Sequence, residues 1–251
     1  MNGFRINPRL ALAIDLVLLT VIWHIAAVSM DRSFLPTPWV VVQTFWQEIQ
    51  GPLLGHTWSS VVRILLSVLA GTAVAAPLAI LAAENRVLDS LLSPLMYFLY
   101  PTPKIVFLPI IVFLLGLGNP SIIFLISLIV FFQVYVIVRD AVAKVPRATL
   151  DSISSLGAGR WQRLRYVYLP LSVSAVFTAL KVSVGTSIAV LFIAESIGNN
   201  VGLGYYIVVD QWNRFAYAKV YAGILAIALL GSLMFSGLSW LEARFSRWQR
   251  S

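Results

Sequence analysis

Apolar residues form six long runs in this chain, separated by short segments that are richer in polar residues and glycine. A helix needs about 20 consecutive apolar residues to cross the roughly 30 Å hydrocarbon core of a bilayer. The runs are about that long or longer, and they cover residues 10–30, 58–83, 88–117, 121–138, 171–194 and 221–240. This pattern predicts an all-α polytopic membrane protein of about six transmembrane helices, with residues 1–251 in a single transmembrane domain.

The third run contains prolines that an uninterrupted helix would not accept. Pro94, Pro101, Pro103 and Pro109 each lack the backbone N–H donor that the helix interior requires. Carbonyl groups left without a donor are tolerated at membrane depth only against protein or a water-filled cavity. We therefore predict a broken helix here, with Pro101 and Pro103 in the lining of a translocation pathway. The alternative is a kinked helix that only packs against its neighbours.

Residues 38–50, between the first two runs, form an amphipathic segment. Thr37 and Pro38 give a helix start signal, an N-cap residue followed by a proline at the first helical position. The apolar residues that share one side of the predicted helix are Trp39, Val42, Phe45, Trp46 and Ile49. Because tryptophan is enriched at headgroup depth, we predict an interfacial helix. A loop packed on the domain is the alternative.

Composition supports the membrane assignment. Of the 251 residues, 59% are hydrophobic and 11% are charged, with a mean hydropathy of +0.88, whereas soluble domains have about 25% charged residues. Cysteine is absent, so no disulfide framework is expected. The net charge of +8 is an excess of the kind that cytoplasmic loops of membrane proteins carry.

The loop charges predict that both termini are cytoplasmic. With the amino terminus inside, the outer segments hold Arg32, Arg214 and Lys219. The inner segments then hold twelve basic residues, which are Arg5, Arg9, Arg86, Arg139, Lys144, Arg147, Arg160, Arg163, Arg165, Arg244, Arg247 and Arg250. Basic residues resist translocation, so this orientation is favoured. The net charge then reflects topology and partner docking, and we expect no nucleic-acid binding.

The longest polar stretch, about residues 139–169, lies on the predicted inner side and contains six of these basic residues. Within it, Leu150, Ile153 and Leu156 repeat at helical spacing and Gly157 supplies a stop signal. Residues 148–157 are therefore predicted to form a short helix. Its small residues would allow it to enter a groove on another protein, and the alternative is a helix that only caps the bundle.

This loop resembles the cytoplasmic loop signature of ABC importer permeases, which has a Glu-Ala-Ala start, a glycine and an Ile-x-Leu-Pro end. The corresponding residues here are Asp151, Ser152, Ile153, Gly157, Val167, Leu169 and Pro170. The spacing, the glycine and the Leu-Pro pair are kept. Asp replaces Glu, Ser-Ile replaces Ala-Ala, and Val replaces Ile.

Four further stretches are similar to one branch of that family, the permeases of nitrate, sulfonate, taurine and bicarbonate importers. They are residues 101–109, residues 116–121, residues 194–195 with 202–205, and residues 222–225. With the loop, they extend the resemblance from about residue 38 to the carboxyl terminus.

The resemblance implies the fold of a type I ABC importer permease, located in the inner (plasma) membrane of a prokaryote. It implies that a second permease copy, two ATP-binding subunits and an external solute-binding protein assemble with the chain. The cytoplasmic loop would then be the coupling loop, and its helix the coupling helix that transmits nucleotide-driven closure to the spans. The implied substrate is a small anion such as a sulfonate, taurine, nitrate or bicarbonate. An uncharged or aromatic precursor is an alternative, because aromatic side chains near the broken segment could stack on a ring; these are Tyr97, Phe98, Tyr100 and Phe107.

No catalytic or metal-binding motif is recognisable in the sequence. The phosphate-binding loop of an ATPase requires a Gly-Lys pair, and the sequence contains none. His24 and His56 lack the spacing of a zinc site and are expected to be packing or interfacial residues. We therefore expect no enzyme activity and no cofactor in this chain, with ATP and Mg²⁺ bound by the partner ATPase. An ion-gradient-driven secondary transporter is the alternative function.

Ionisable residues inside membrane spans are costly and often mark a pathway. Lys104 follows the proline-rich break, where its ammonium would attract an anion, and Glu195 ends the fifth run near a glycine-rich loop. Both are candidate pathway residues. The alternatives are an ion pair between Lys104 and Glu195 or another carboxylate, and a buried ion pair of Glu195 that fixes the loop. Arg63 and Lys181 are expected to snorkel to an interface, and Asp15 to be structural.

Overall fold

Every regular element in the described part of the chain is a helix. The computed structural model describes residues 7–30, 34–197 and 199–245. The α-helices are α1 (Pro8–Met30), α2 (Pro38–Ile49), α3 (Pro52–Glu84), α4 (Arg86–Leu99), α5 (Leu108–Leu115), α6 (Asn119–Ala143), α7 (Arg147–Ser155), α8 (Arg160–Ser196) and α9 (Tyr217–Phe245). The all-α prediction is confirmed. The chain termini, which are predicted to be cytoplasmic, lie partly outside the described residues, and their location stays a prediction.

Five helices are long and apolar enough to cross a membrane, namely α1, α3, α6, α8 and α9. The remaining predicted span, the third along the chain, is broken, as its prolines indicate. It consists of α4, a short 3₁₀ helix (Lys104–Phe107) and α5, and the two halves meet at 91° around residues 100–103. The prediction of about six transmembrane helices with an interrupted third span is confirmed.

The bundle has two ends, which we name by a residue at each. At the Glu195 end, Arg63 of α3 contacts Asn119 at the start of α6 and Glu195 near the end of α8. At the Glu84 end, the last residue of α3 forms an ion pair with Arg160 at the start of α8. The chain enters α4 at the Glu84 end and begins α6 at the Glu195 end. The bent pair therefore crosses the bundle.

The central packing is between α3 and α6, the most extensive helix pair, and α6 also packs along α8. Gly71 allows α3 to approach α6 closely. A Cβ atom at Gly71 would lie 2.7 Å from the Ser127 carbonyl oxygen and 3.0 Å from the Val130 Cβ. Small residues at such contacts are the usual basis of helix association inside membranes, where lipid is as apolar as the side chains.

The two amino-terminal helices lie at the periphery. Most side chains of α1 are exposed, as expected for a lipid-facing helix. The predicted helix at residues 38–50 is present as α2, and it packs against α9 and α3. Its predicted apolar side is divided, because Trp39, Val42 and Trp46 are exposed whereas Phe45 and Ile49 are half-buried. The buried residue of this helix, Val41, lies outside the predicted set. This exposure fits an interfacial position, which stays a prediction.

Glu48 fastens α2 to the rest of the bundle. Its carboxylate forms an ion pair with Lys219 of α9 at 2.8 Å and accepts a hydrogen bond from the Tyr206 hydroxyl at 2.8 Å. Tyr206 lies outside the spanning helices, and its burial, together with this hydrogen bond, raises the pKa of Tyr206 well above its ordinary value. The tyrosine therefore remains a donor.

We predict that Gly71→Ala destabilises the protein, because the added methyl group meets backbone that cannot move aside. Overpacking of this kind costs about 1–3 kcal/mol. The matched control is Gly55→Ala on the same helix, where nothing lies within 4 Å of the added Cβ; there alanine should be neutral or stabilising by up to ~1 kcal/mol. Thermal unfolding in detergent measures both, and equal midpoints for the two variants would contradict the assigned packing.

Candidate functional site

A buried ion pair organises the Glu195 end. Arg63 Nη1 lies 2.6 Å from Glu195 Oε1, and both side chains are almost fully buried. Ser60 donates to the same carboxylate at 2.8 Å, and the backbone N–H of Gly204 donates to Oε2 at 3.0 Å. Arg63 also donates through Nε to Asn119 Oδ1 at 2.7 Å. The carboxylate and the guanidinium are therefore both paired and hydrogen-bonded, as buried charges must be.

Two glycines allow the following loop to close over this ion pair. Gly202 has φ +133°, and a Cβ atom there would lie 2.3 Å from the Glu195 Cδ. At Gly204 the added atom would lie 2.2 Å from the Phe192 carbonyl oxygen. The backbone N–H groups of Gly202 and Leu203 donate to the imidazole of His56 and the hydroxyl of Ser60. Residues 194–195 and 202–205, which carry the family resemblance in this region, therefore lie in contact with one another around the Glu195 carboxylate.

The structure corrects two expectations and leaves a third open. Arg63 does not snorkel to an interface, because Glu195 and the loop carbonyl of Val201 hold its guanidinium inside the protein. The proposed pairing of Lys104 with Glu195 is wrong, since Arg63 occupies that carboxylate. Glu195 forms the buried ion pair that fixes the loop, which was the alternative to a pathway position. Its role in the pathway stays a prediction.

Lys104 lies at the break of the third span. Its ammonium donates to the carbonyl oxygens of Leu99 at 2.6 Å, Tyr100 at 3.1 Å and Thr102 at 2.8 Å. It also lies 4.4 Å from the centre of the Phe132 ring. The side chain therefore satisfies carbonyl groups that lost their helical donors, and it stabilises the bend.

A cleft of about 340 Å³ opens beside this ammonium. The broken segment forms one wall, and α6 and α8 form the others. The lining residues are Tyr100, Pro101, Thr102, Pro103, Lys104, Ile105, Ile129, Phe132, Gln133, Thr186 and Val190. Three of the four predicted pathway residues, Pro101, Pro103 and Lys104, thus meet in one cleft. The sequence reasoning missed Gln133 and Thr186, although polar residues inside apolar runs are a usable signal.

A second charged cluster connects α4 to α6 near the Glu84 end. Arg139 binds both Asp89 oxygens at 2.8 and 2.5 Å and contacts Asp140 at 3.1 Å. The Tyr97 hydroxyl donates to Asp140, and Ser93 donates to Asp89. The sequence analysis assigns Arg139 to the inner loop, whereas in the structure it belongs to α6 and its ion pair with Asp89 joins α6 to α4. Lys181 is likewise paired, with Glu242 of α9 at 2.6 Å.

The loop between α6 and α8 contains the predicted short helix, which the structure gives as Arg147–Ser155. Asp151 and Ser152 are exposed, Ile153 is half-buried, and Leu156 projects with 88% of its surface exposed. Gly157 has φ +85°, a left-handed conformation that suits glycine, and an added Cβ there would meet nothing within 4 Å. The glycine therefore shapes the backbone and leaves an open surface around it.

The carboxyl-terminal part of the signature lies in the first turns of α8. Val167 belongs to a π-helical segment, Leu164–Tyr168, and Leu169 and Pro170 follow it. Pro170 has no N–H to donate, so the widened turn lies where a regular α-helical ladder is interrupted. The ion pair of Arg160 with Glu84, at 3.1 Å, connects this start of α8 to the end of α3.

These features indicate the class of protein. About six helices that can cross a membrane, with a broken span beside a cleft and an exposed helix in the loop between two spans, are typical of the membrane component of a transport system. Residues 75–247 match the family of binding-protein-dependent transport system inner membrane components, and the chain belongs to this family. It is the transmembrane permease subunit of an ABC importer, which rules out the alternative of a secondary transporter.

Relatives with known names support this assignment. The chain is 32% identical to the taurine transport system permease protein of Escherichia coli over 240 residues, which cover 92% of this chain and 86% of that protein. It is 27% identical to the riboflavin transport system permease protein of Chloroflexus aurantiacus over 251 residues, which cover 97% and 92%.

The fold also matches a solved structure, an inward-facing conformation of a methionine ABC transporter. The TM-score is 0.64 at 16% sequence identity, with 84% of this chain and 98% of that chain covered. At this identity the likeness shows the fold, which is that of an ABC transporter permease.

We predict that Glu195→Gln destabilises the protein strongly, because it leaves the buried Arg63 guanidinium without a counter-charge. Breaking a buried ion pair in this way costs about 3–5 kcal/mol. The matched control is Glu242→Gln, which breaks the more exposed pair with Lys181 and should cost about 1 kcal/mol or less. Denaturant unfolding in detergent compares them, and a loss for Glu195→Gln no greater than that of the control would refute the structural role of this pair.

Proposed function

We propose that the permease moves a small anion, such as a sulfonate, taurine, nitrate or bicarbonate, from an external binding protein into the cytoplasm. Family membership and the similarity to a taurine permease along most of the chain carry this proposal. The positive charge of Lys104 beside the cleft favours an anion over a cation. Pro101, Pro103 and Lys104 line the proposed pathway.

An uncharged or aromatic solute is the second candidate. The relative named for riboflavin transport supports it, and so do the aromatic side chains of Tyr100 and Phe132 in the cleft wall. A flat ring system could stack on these side chains. The two candidates differ in whether the charge of Lys104 contributes to transport.

The proposed complex contains two copies of this chain, two ATP-binding subunits and the external binding protein. The part of the chain that the structure describes has one exposed loop helix, α7, and each of two ATP-binding subunits needs such a helix. A second permease copy would supply the other. ATP and Mg²⁺ bind to the partner subunits in this proposal, and the bilayer covers the exposed apolar faces, for example Phe113 at 87% exposure.

In this assembly the Glu84 end faces the cytoplasm of a prokaryotic cell, and both termini lie inside. The excess of basic residues in the loops at this end supports the orientation, because basic loops resist translocation. The ATP-binding subunits would then contact Asp151, Ser152, Ile153 and the surface around Gly157.

Reconstitution tests the function directly. The chain is co-purified with its ATP-binding subunit, placed in liposomes with ATP on the side of that subunit, and given radiolabelled taurine with the binding protein on the other side. We expect uptake that requires ATP and the binding protein. Uptake that continues with ADP would contradict an ATP-driven importer, and uptake of riboflavin in place of taurine would favour the second candidate.

We predict that Gly157→Val abolishes transport and co-purification of the ATP-binding subunit together, whereas Gly157→Asn retains both. A β-branched side chain resists the left-handed backbone at this position, at a cost of roughly 1–2 kcal/mol, whereas asparagine adopts it more readily. Because an added Cβ meets nothing nearby, the comparison isolates the backbone path from α7 to α8. Normal assembly and transport by Gly157→Val would show that this turn does not position the loop for coupling.

A further inference from the structure

Lys104 carries a buried positive charge that no carboxylate neutralises within the described residues. Seven of the ten acidic side chains form ion pairs with other cations. The remaining three lie elsewhere: Asp15 on α1, Asp151 on α7, and Asp31 outside the described ranges. The ammonium is surrounded by three carbonyl groups and an aromatic ring. These dipoles solvate the charge without cancelling it, so the neighbouring cleft is electropositive.

The three carbonyl groups also fix the position of this charge. Each of the three ammonium N–H groups has one carbonyl acceptor, so none is left to donate to a solute. Lys104 therefore acts on an anion through its electric field. That field is strong where the dielectric constant is low, as in a cleft inside a membrane protein.

Groups that can contact a solute directly lie across the cleft. Gln133 belongs to the middle of α6, and its Oε1 atom is buried without a hydrogen-bond partner among the described residues. Buried polar atoms in native proteins normally have a partner, so the accepting capacity of this oxygen is unused. The oxygen and the nitrogen of such an amide exchange places when the group turns over. Gln133 of α6 and Thr186 of α8 both line the cleft. An amide can turn its NH₂ group toward an anion, and a hydroxyl can also donate.

We propose that this cleft is an intramembrane binding site for a small anion, in which Gln133 and Thr186 donate hydrogen bonds to the anion and Lys104 supplies a fixed positive charge. The site deepens the proposed transport function and rests on it for its place in translocation. Its size of about 340 Å³ fits a small organic anion. The apolar wall, with Ile129 and Val190, would contact the carbon chain of an alkanesulfonate.

The test uses ethanesulfonate, titrated calorimetrically into the purified complex of the permease with its ATP-binding subunit. We expect Gln133→Glu to weaken binding by about ten-fold or more, because the new carboxylate cancels the charge of Lys104 and repels the anion. Thr186→Val, which is nearly isosteric and removes one donor, should weaken binding by roughly three- to ten-fold. Gln43→Glu, the same change on the exposed face of α2, is the matched control and should have no effect.

Uptake of radiolabelled taurine by the same variants separates this proposal from the proposed function. A raised KM for taurine transfer in Gln133→Glu, with unchanged co-purification of the ATP-binding subunit, supports the site. If ethanesulfonate binds the wild-type complex but not Gln133→Glu, and the wild type itself transports no taurine, the site stands and the transport proposal fails. Binding and uptake by Gln133→Glu and Thr186→Val equal to those of the control would overturn the site and leave the transport function intact.

Discussion

The ion pair between Arg63 and Glu195 joins three helices and a loop at one end of the bundle. It connects α3 to α8, and through Asn119 it reaches the start of α6. Backbone donors of the loop after α8 complete the shell around the carboxylate. A charge in the low-dielectric interior is stable only when such a shell is complete. Each member of the cluster is therefore required by the others, including the two glycines that let the loop approach.

Lys104 obeys the same requirement in a different way. Its charge is solvated by backbone carbonyls that the prolines and the bend left without helical donors. One residue thus supplies hydrogen-bond donors to the carbonyl groups that the broken helix exposes. Because it has no carboxylate partner among the described residues, it also leaves a positive charge beside the cleft. The two buried cations differ in this respect. The cluster of Arg63 is closed and structural, whereas the surroundings of Lys104 are open on the side that faces the cleft.

The spans, the break and the loop helix can be predicted from the sequence because each depends on residues that are close together along the chain. Apolar run length sets the helices, the prolines mark the interruption at residues 100–103, and the glycine at 157 ends α7. The pairing of charges depends on which helices become neighbours, and spacing along one helix does not contain that information. Arg63 was therefore expected at an interface, and the contact of Arg139 with Asp89 was not foreseen. The cleft residues on α6 and α8 were missed for the same reason.

The positions of the ion pairs also show how the loop helix is connected to the rest of the bundle. Glu84 and Arg160 join α3 to α8 at one end, and Arg63 and Glu195 join the same two helices near the other end. A short turn at residues 156–159 joins α7 to α8, and ion pairs connect α8 to α3 near both ends. The broken span is attached differently, through the cluster of Arg139 and the bonds of Lys104 to its own backbone. The bend forms one wall of the cleft and α6 and α8 form the others, so any movement of the broken span relative to these helices changes the shape of the cleft.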